Sequence, residues 1–437
     1  MQRTLITNGT IIDPANGIEC RGSLLIEDDH IAEVVESESP PDADAAVIDA
    51  TGLLVTPGFV DLHVAVREPG FEEDETIASA VQAAVAGGFT SIATLPDTNP
   101  VVDNRGAAEF VKHQACLVQG CRVFPMGAVT KGGRGEELAE IGLLVEADTV
   151  AFTDAKSPIA NAEVMRRALE YTGMFNRPIL HHAIVPELAE GGVMHEGFES
   201  TRLGLQGIPA AAQDIMTGRD IALAELTGGH VHIMCVTTKD AVAQLRAARQ
   251  RNIRVSADVS PHHLLLDDTV MNTFDTLYKV DPPLRSSDHT DALIAGLQDG
   301  TIQAISADHQ PVAIEKKSIE LDVAPWGMCG LETALAVSVR ALIDPGHLTW
   351  TRLIRCLTSG PAEILGIPHG TLSPGSTADI SLIDPARSTE IDPATFRSLG
   401  RNTPFAGQRF QGAVVRTLVN GKVVYDRDAD DERLVTA

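Results

Sequence analysis

Eight short apolar stretches alternating with amphipathic helical patterns constrain this chain more than any other feature. The stretches lie at 55–64, 90–96, 121–128, 149–153, 178–182, 230–236, 253–259 and 302–307. Helical patterns follow most of them, at 76–87, 104–118, 161–175, 210–227, 239–250, 287–298 and 331–342. Continuous apolar strands between such helices argue a parallel sheet buried on both faces. Eight units predict a closed α/β barrel of the (β/α)8 type, which places its working groups at the C-terminal ends of the strands. The chain has 437 residues, enough for one such barrel and a smaller domain.

The two ends of the chain read differently. Residues 3–55 alternate like short strands, with turns at Asn8-Gly9, Pro14–Gly17 and Glu27–Asp29. Residues 371–384 and 412–426 show the same pattern. The expectation is a small β-sandwich built from both termini, 1–55 with 367–437, and a barrel domain over 56–366.

Composition narrows the class. Hydrophobic residues make up 44% and aromatics only 4%, so the core is aliphatic. A formal charge of −26 argues against nucleic acid and anionic membrane surfaces as partners. No apolar run reaches the length of a membrane span, and the start is strand-like rather than signal-like. The six cysteines are scattered and form no Cys-x-x-Cys pair, which fits free thiols in a cytoplasmic protein.

The polar residues of interest fall at the expected strand ends. His63 ends the first, Asp97 follows the second, and Asp154 ends the fourth, before Ala155 and Lys156. His181 and His182 end the fifth, Cys235 the sixth. His262 and His263 follow the seventh, and Asp308 and His309 end the eighth. One such residue is usually a satisfied structural group. His and Asp converging from several strands on one mouth suit a metal site. Side chains alternate along a strand, so only one of His181 and His182 points inward.

Longer motifs carry a family resemblance. They include Pro57-Gly-Phe-Val-Asp-Leu-His63, Arg67-Glu-Pro-Gly-Phe71, the run from Glu196 to Pro209, Pro261-His-His-Leu-Leu265, Asp281-Pro-Pro-Leu-Arg285 and the run from Ala324 to Thr333. Nearly end to end, the chain resembles type I dihydroorotases of the amidohydrolase superfamily. That resemblance implies a metal-dependent barrel with a terminal β-sandwich, closing carbamoyl aspartate to dihydroorotate in pyrimidine biosynthesis. It implies metal positions at His63, 65, Asp154, His182, 235 and Asp308, with Asp308 also the general base. Ala65 and Cys235 replace two of these six histidine and aspartate positions. Among substrate positions Arg67 is present, whereas Asp97 and Asp281 stand for asparagines and Val312 for a histidine.

These departures lead to definite expectations. Two unit charges about 4 Å apart repel by roughly 4 kcal/mol at an effective dielectric of 20, so Asp97 and Asp281 are expected to repel an anionic substrate. Arg67 and Asp308 are then vestigial, no cofactor is expected, and the metal site is degenerate. The role implied is a catalytically inactive subunit that supports assembly of aspartate transcarbamoylase and is itself oligomeric within that complex. The alternatives are an active zinc dihydroorotase with an altered site, holding at most one zinc per chain, or an amidohydrolase acting on another cyclic amide. Thiolate is a good zinc ligand, so His63, Asp154, His182 and Cys235 would suffice for one ion.

Overall fold

The computed structural model describes residues 2–36 and 44–429. Residue 1 and the stretches 37–43 and 430–437 of the expected terminal domain lie outside the described residues.

The central strands form two parallel sheets that join into a ring. Phe59–Val64, Phe89–Thr94 and Arg122–Pro125 make one, and Ile179–His181, Val231–Ile233, Val255–Val259 and Ala304–Ile305 the other. The fourth stave is reduced to Phe152, which bridges in parallel to Gly127 on one side and to Ile179 on the other. Val64 bridges His309 and closes the circle. Eight staves are therefore present, as the alternation predicts, although the fourth is too brief to count as a strand.

The helices sit where the patterns place them and begin at residues built for the purpose. Thr76 caps Ile77–Ala86, Asn104 caps Arg105–Cys116, Asn161 caps Ala162–Gly173 and Thr238 caps Lys239–Gln250, each accepting from a first-turn backbone N–H. Their apolar faces and the outer faces of the staves bury one large aliphatic cluster. A second cluster includes Val60, Leu62, Met126, Leu180 and Met234, and Ala362 and Leu365 from the helix Ser359–Leu365 pack into it.

The predicted stretch 55–64 divides in two. Leu54–Pro57 belongs to the terminal sheet and Phe59–Val64 to the barrel. The chain changes sheets at Gly58, where an added Cβ would lie 2.1 Å from the Thr90 side chain, so only glycine fits. The terminal strands form one sheet of eight. Arg3–Asp13 pairs with Ile18–Glu27, Ala46–Asp49 and Leu54–Pro57, and Leu54–Pro57 pairs with Ile380–Glu390 from the far end of the chain. Both ends thus share one set of ladders. Among the described residues no helix is long and apolar enough to cross a membrane.

Candidate active site and metal centre

Three stave ends deliver a compact donor set. His63 lies one residue before the end of the first stave, Cys235 two residues past the sixth and Asp308 three past the eighth. All three are buried, and one ligand atom from each lies within 4.8 Å of the others. His63 Nδ1 is 3.6 Å from Asp308 Oδ1, and Cys235 Sγ is 3.9 Å from His63 Nε2. His63 Nδ1 is buried and has no hydrogen-bond partner.

A second layer orients this set. Asp258, on the seventh stave, takes His63 Nε2 at 2.7 Å through one oxygen. Its other oxygen pairs with His232 Nε2 at 3.0 Å and accepts the Cys235 backbone N–H at 3.0 Å. A carboxylate behind the histidine fixes the ring and leaves Nδ1 facing the mouth. Burial lowers the pKa of His63, but Asp258 and then Cys235 outweigh it and hold the imidazole well above its ordinary value. Asp61 joins the first and eighth staves, accepting the backbone N–H of His63 at 3.0 Å and of Ala307 at 2.7 Å.

Lys156 completes the charge pattern. Its Nζ lies 2.9 Å from Asp308 Oδ1 and donates to the Asp281 carbonyl at 2.7 Å. Burial raises the Asp308 pKa, but Lys156 and then His63 overcome this and keep it an anion. Burial and the adjacent Asp308 push the Cys235 thiol up to about 11. Binding a metal would require loss of that proton, as thiolate ligation does generally.

The structure redistributes the other expected ligands. Asp154 does not reach the trio, because Thr130 claims both oxygens through its backbone N–H at 3.0 Å and its hydroxyl. His181 turns outward to Asp220, at 2.6 Å, so His182 is the inward member of the pair. His182 Nε2 lies 3.2 Å from Asp281 Oδ2, and His182 Nδ1 is buried without a partner. Ala65 packs in the apolar inner cluster, and its backbone N–H donates to His309 at 3.0 Å. No donor replaces the missing imidazole there.

The two added carboxylates are both paired with basic side chains. Asp97 accepts Arg67 Nη1 at 2.9 Å, while Arg67 Nη2 donates to Gln310 at 2.9 Å. Asp281 faces His182, which with Lys156 draws its pKa down against the upward push of burial. Neither carboxylate stands alone: each has a basic side chain within hydrogen-bond distance. Beside them opens a cavity of about 360 Å³, lined in part by Lys156, His182, Lys279, Asp281 and Trp326. Val312 is buried, its N–H bonded to Asn402.

Backbone strain concentrates at this mouth. Arg67, Ala155, Cys235 and Asp308 all have positive φ, at 58°, 53°, 48° and 46°. Non-glycine residues hold that region only where their surroundings impose it, most often at functional sites. Neither Asp258 nor Lys156 was singled out by the sequence reading. An acid inside the apolar run Val255-Ser-Ala-Asp-Val259 was the available signal for the first. A lysine two residues after a strand-end aspartate was the signal for the second.

The amidohydrolase family pattern matches residues 54–424. A dihydroorotase from Pelotomaculum thermopropionicum is 48% identical over 97% of this chain and 98% of its own length. One from Anaeromyxobacter dehalogenans is 46% identical over 98% of each. The chain belongs to the dihydroorotase family of the amidohydrolase superfamily. Among solved structures, the L-hydantoinase from Arthrobacter aurescens is 25% identical, with a TM-score of 0.87 over 98% of this chain and 96% of that one.

These relatives correct two expectations. An inactive subunit supporting aspartate transcarbamoylase is not what the family comparison indicates, since its full-length members carry the name of the enzyme. The expectation of no cofactor fails with it. The physical error lay in counting the ligands lost. What remains, an imidazole, a thiol and a carboxylate within 4.8 Å of one another, is a sufficient donor set for zinc.

Proposed function

We propose that this chain is an active dihydroorotase, interconverting carbamoyl aspartate and dihydroorotate. The observation that carries the reading is the buried trio of His63, Cys235 and Asp308 at the C-terminal mouth of the barrel, joined through Lys156 to a cavity of about 360 Å³ that Lys156, His182 and Asp281 help to line. Identity of 44–48% to dihydroorotases over nearly the whole chain supports it. The cavity lies at the small end of the range typical for ligand sites, which suits a six-membered ring.

The donor chemistry fits zinc: imidazole, thiolate and carboxylate are its ordinary ligands, and the unpartnered His63 Nδ1 lies 3.6 Å from Asp308 Oδ1. Zinc bound there would polarise the amide carbonyl and lower the pKa of a bound water. The remaining work falls to side chains. Asp308 stays ionised, and its Oδ2, 4.0 Å from His262 Nε2, is the oxygen free to accept a proton. Asp258 keeps the His63 ring fixed throughout. Lys156 and Lys279 both line the cavity, and their positive charge favours an anionic substrate there. Arg67, tied to Asp97 and Gln310, helps only if a substrate carboxylate displaces Asp97.

That last feature favours a second reading, hydrolysis of a cyclic amide without a carboxylate, and the likeness to L-hydantoinase is in keeping with it. The test is turnover by zinc-loaded full-length protein, assayed in parallel on dihydroorotate, dihydrouracil and a hydantoin. Preference for dihydroorotate is expected. Failure to turn it over, with hydrolysis of either neutral ring, would favour the second reading; failure on all three would remove both.

A further inference from the structure

Lining the cavity does not account for all the contacts that Lys156 makes. It enters the mouth from the turn after the fourth stave, and its Nζ sits between the trio and the cavity. Around Nζ lie Asp308 Oδ1 at 2.9 Å, the Asp281 carbonyl oxygen at 2.7 Å and Cys235 Sγ at 3.8 Å. A carboxylate, a carbonyl and a sulfur are atoms that metal cations take as ligands. Asp308 Oδ1 is also the oxygen nearest His63 Nδ1, at 3.6 Å. The ammonium and any cation on the trio therefore share one carboxylate. The backbone is bent to bring this about, since Ala155 holds φ at 53° immediately before Lys156.

We propose that Lys156 is a built-in cation that fills a second cation position in this mouth, so that the site takes a single divalent metal on His63, Cys235 and Asp308. The inference rests on the metal-centre reading above. Three buried or half-buried carboxylates, Asp258, Asp281 and Asp308, surround the mouth and would otherwise invite more positive charge. Lys156 supplies it in covalent form, and its charge repels a second ion a few ångströms away.

The test is metal content of the full chain after zinc saturation and gel filtration, read by elemental mass spectrometry. A cobalt(II) titration followed by absorption gives affinity independently of turnover. Wild-type protein is expected to hold one equivalent. Lys156→Met, similar in length and uncharged, is expected to take up a second equivalent and to bind the first at least tenfold tighter. Lys156→Arg keeps the charge and is expected to stay at one. Circular dichroism establishes that each variant folds, and Lys156→Gln replaces the methionine variant if that one does not. Uncharged variants with unchanged metal number and affinity would overturn the proposal, as would two equivalents in wild-type protein. A wild type that binds none, with gain of metal in Lys156→Met, would uphold the cation role of Lys156 and remove the metal-centre reading. Turnover of dihydroorotate by one-zinc wild type, with no gain in the variant, would do the reverse.

Discussion

The barrel mouth and the terminal sheet use left-handed backbone in different ways. In the sheet the non-glycine residues with positive φ are Asn8, Asp28 and Asn420, which sit at a bulge and at two hairpin turns. Asparagine and aspartate tolerate that conformation through local hydrogen bonds. At the mouth the same conformation falls on Arg67, Ala155, Cys235 and Asp308, and an arginine, an alanine and a cysteine have no such compensation. Charge divides the same way. The sheet's core is an aliphatic cluster around Ile6, Ile11, Leu24 and Leu382, whereas the mouth buries His63, Asp258 and Asp308 together. One region is shaped by its own local preferences. The other holds unfavourable local states because the surrounding barrel forces them, which is the physical mark of a working site.

The largest effect that would sharpen this contrast is catalytic. Asp308→Asn should lower kcat by about 10²–10⁴-fold, the range for losing a proton acceptor, with the fold intact. Steady-state kinetics with thermal melts checks it, and a variant within threefold of wild type would break the assignment of Asp308. Next comes Asp258→Ala, which strips the partner from the buried His63. A loss of about 3–5 kcal/mol in denaturant unfolding is expected, as for other broken buried pairs, together with a metal affinity about 10–100-fold weaker. An equally buried aliphatic change in the sheet, Leu382→Ala, should cost about 2–5 kcal/mol and leave metal affinity alone.

Smaller effects concern pH and backbone. Lys317 is buried against the backbone carbonyls of Thr276 and Lys279, and burial, with Lys279 adding to it, brings its pKa from 10.5 down to about 7. The unfolded chain binds the extra proton between those values. Stability should therefore rise with pH from about 7 towards 10.5, by at most about 1.4 kcal/mol per unit; it is lost as pH falls from 10.5 to 7 and levels off below 7, where both states carry the proton. Lys317→Met should flatten this window in urea titrations at stepped pH; an unchanged slope would contradict the burial argument. Smallest is the strain itself. Ala155→Gly should stabilise by up to about 1 kcal/mol, whereas Asn8→Ala should destabilise by a similar amount. Opposite signs in matched unfolding curves would support the contrast between the regions, and equal signs would dissolve it.

Much of the fold was legible because it depends on periodicity. Seven of the staves and the helices after them follow from apolar runs and 3.6-residue patterns, with caps such as Thr76 and Asn104 marking their starts. The fourth stave was legible as an apolar stretch but not as a single bridging residue, because its length is set by Gly127 and Ile179 on its flanks. The split at Gly58 was hidden because Leu54–Pro57 and Phe59–Val64 read as one continuous run. At the site, His63, Cys235 and Asp308 could be named because strand ends converge in a barrel. That Asp154 is diverted to Thr130, and that Lys156 takes a place at the centre, could not be read.

What the sequence determined by itself is the set of chemical groups that reach the mouth: an imidazole at 63, none at 65, a thiol at 235, carboxylates at 97, 281 and 308. It could not say which of those charges would be free. The tertiary structure decided that Arg67 meets Asp97, His182 meets Asp281 and Lys156 meets Asp308. The reason is that patterning acts over a few residues, whereas each of these pairs joins side chains from different staves or loops. Their distances are fixed only when the ring closes, and in a low-dielectric interior it is those distances that decide how strongly each pair interacts.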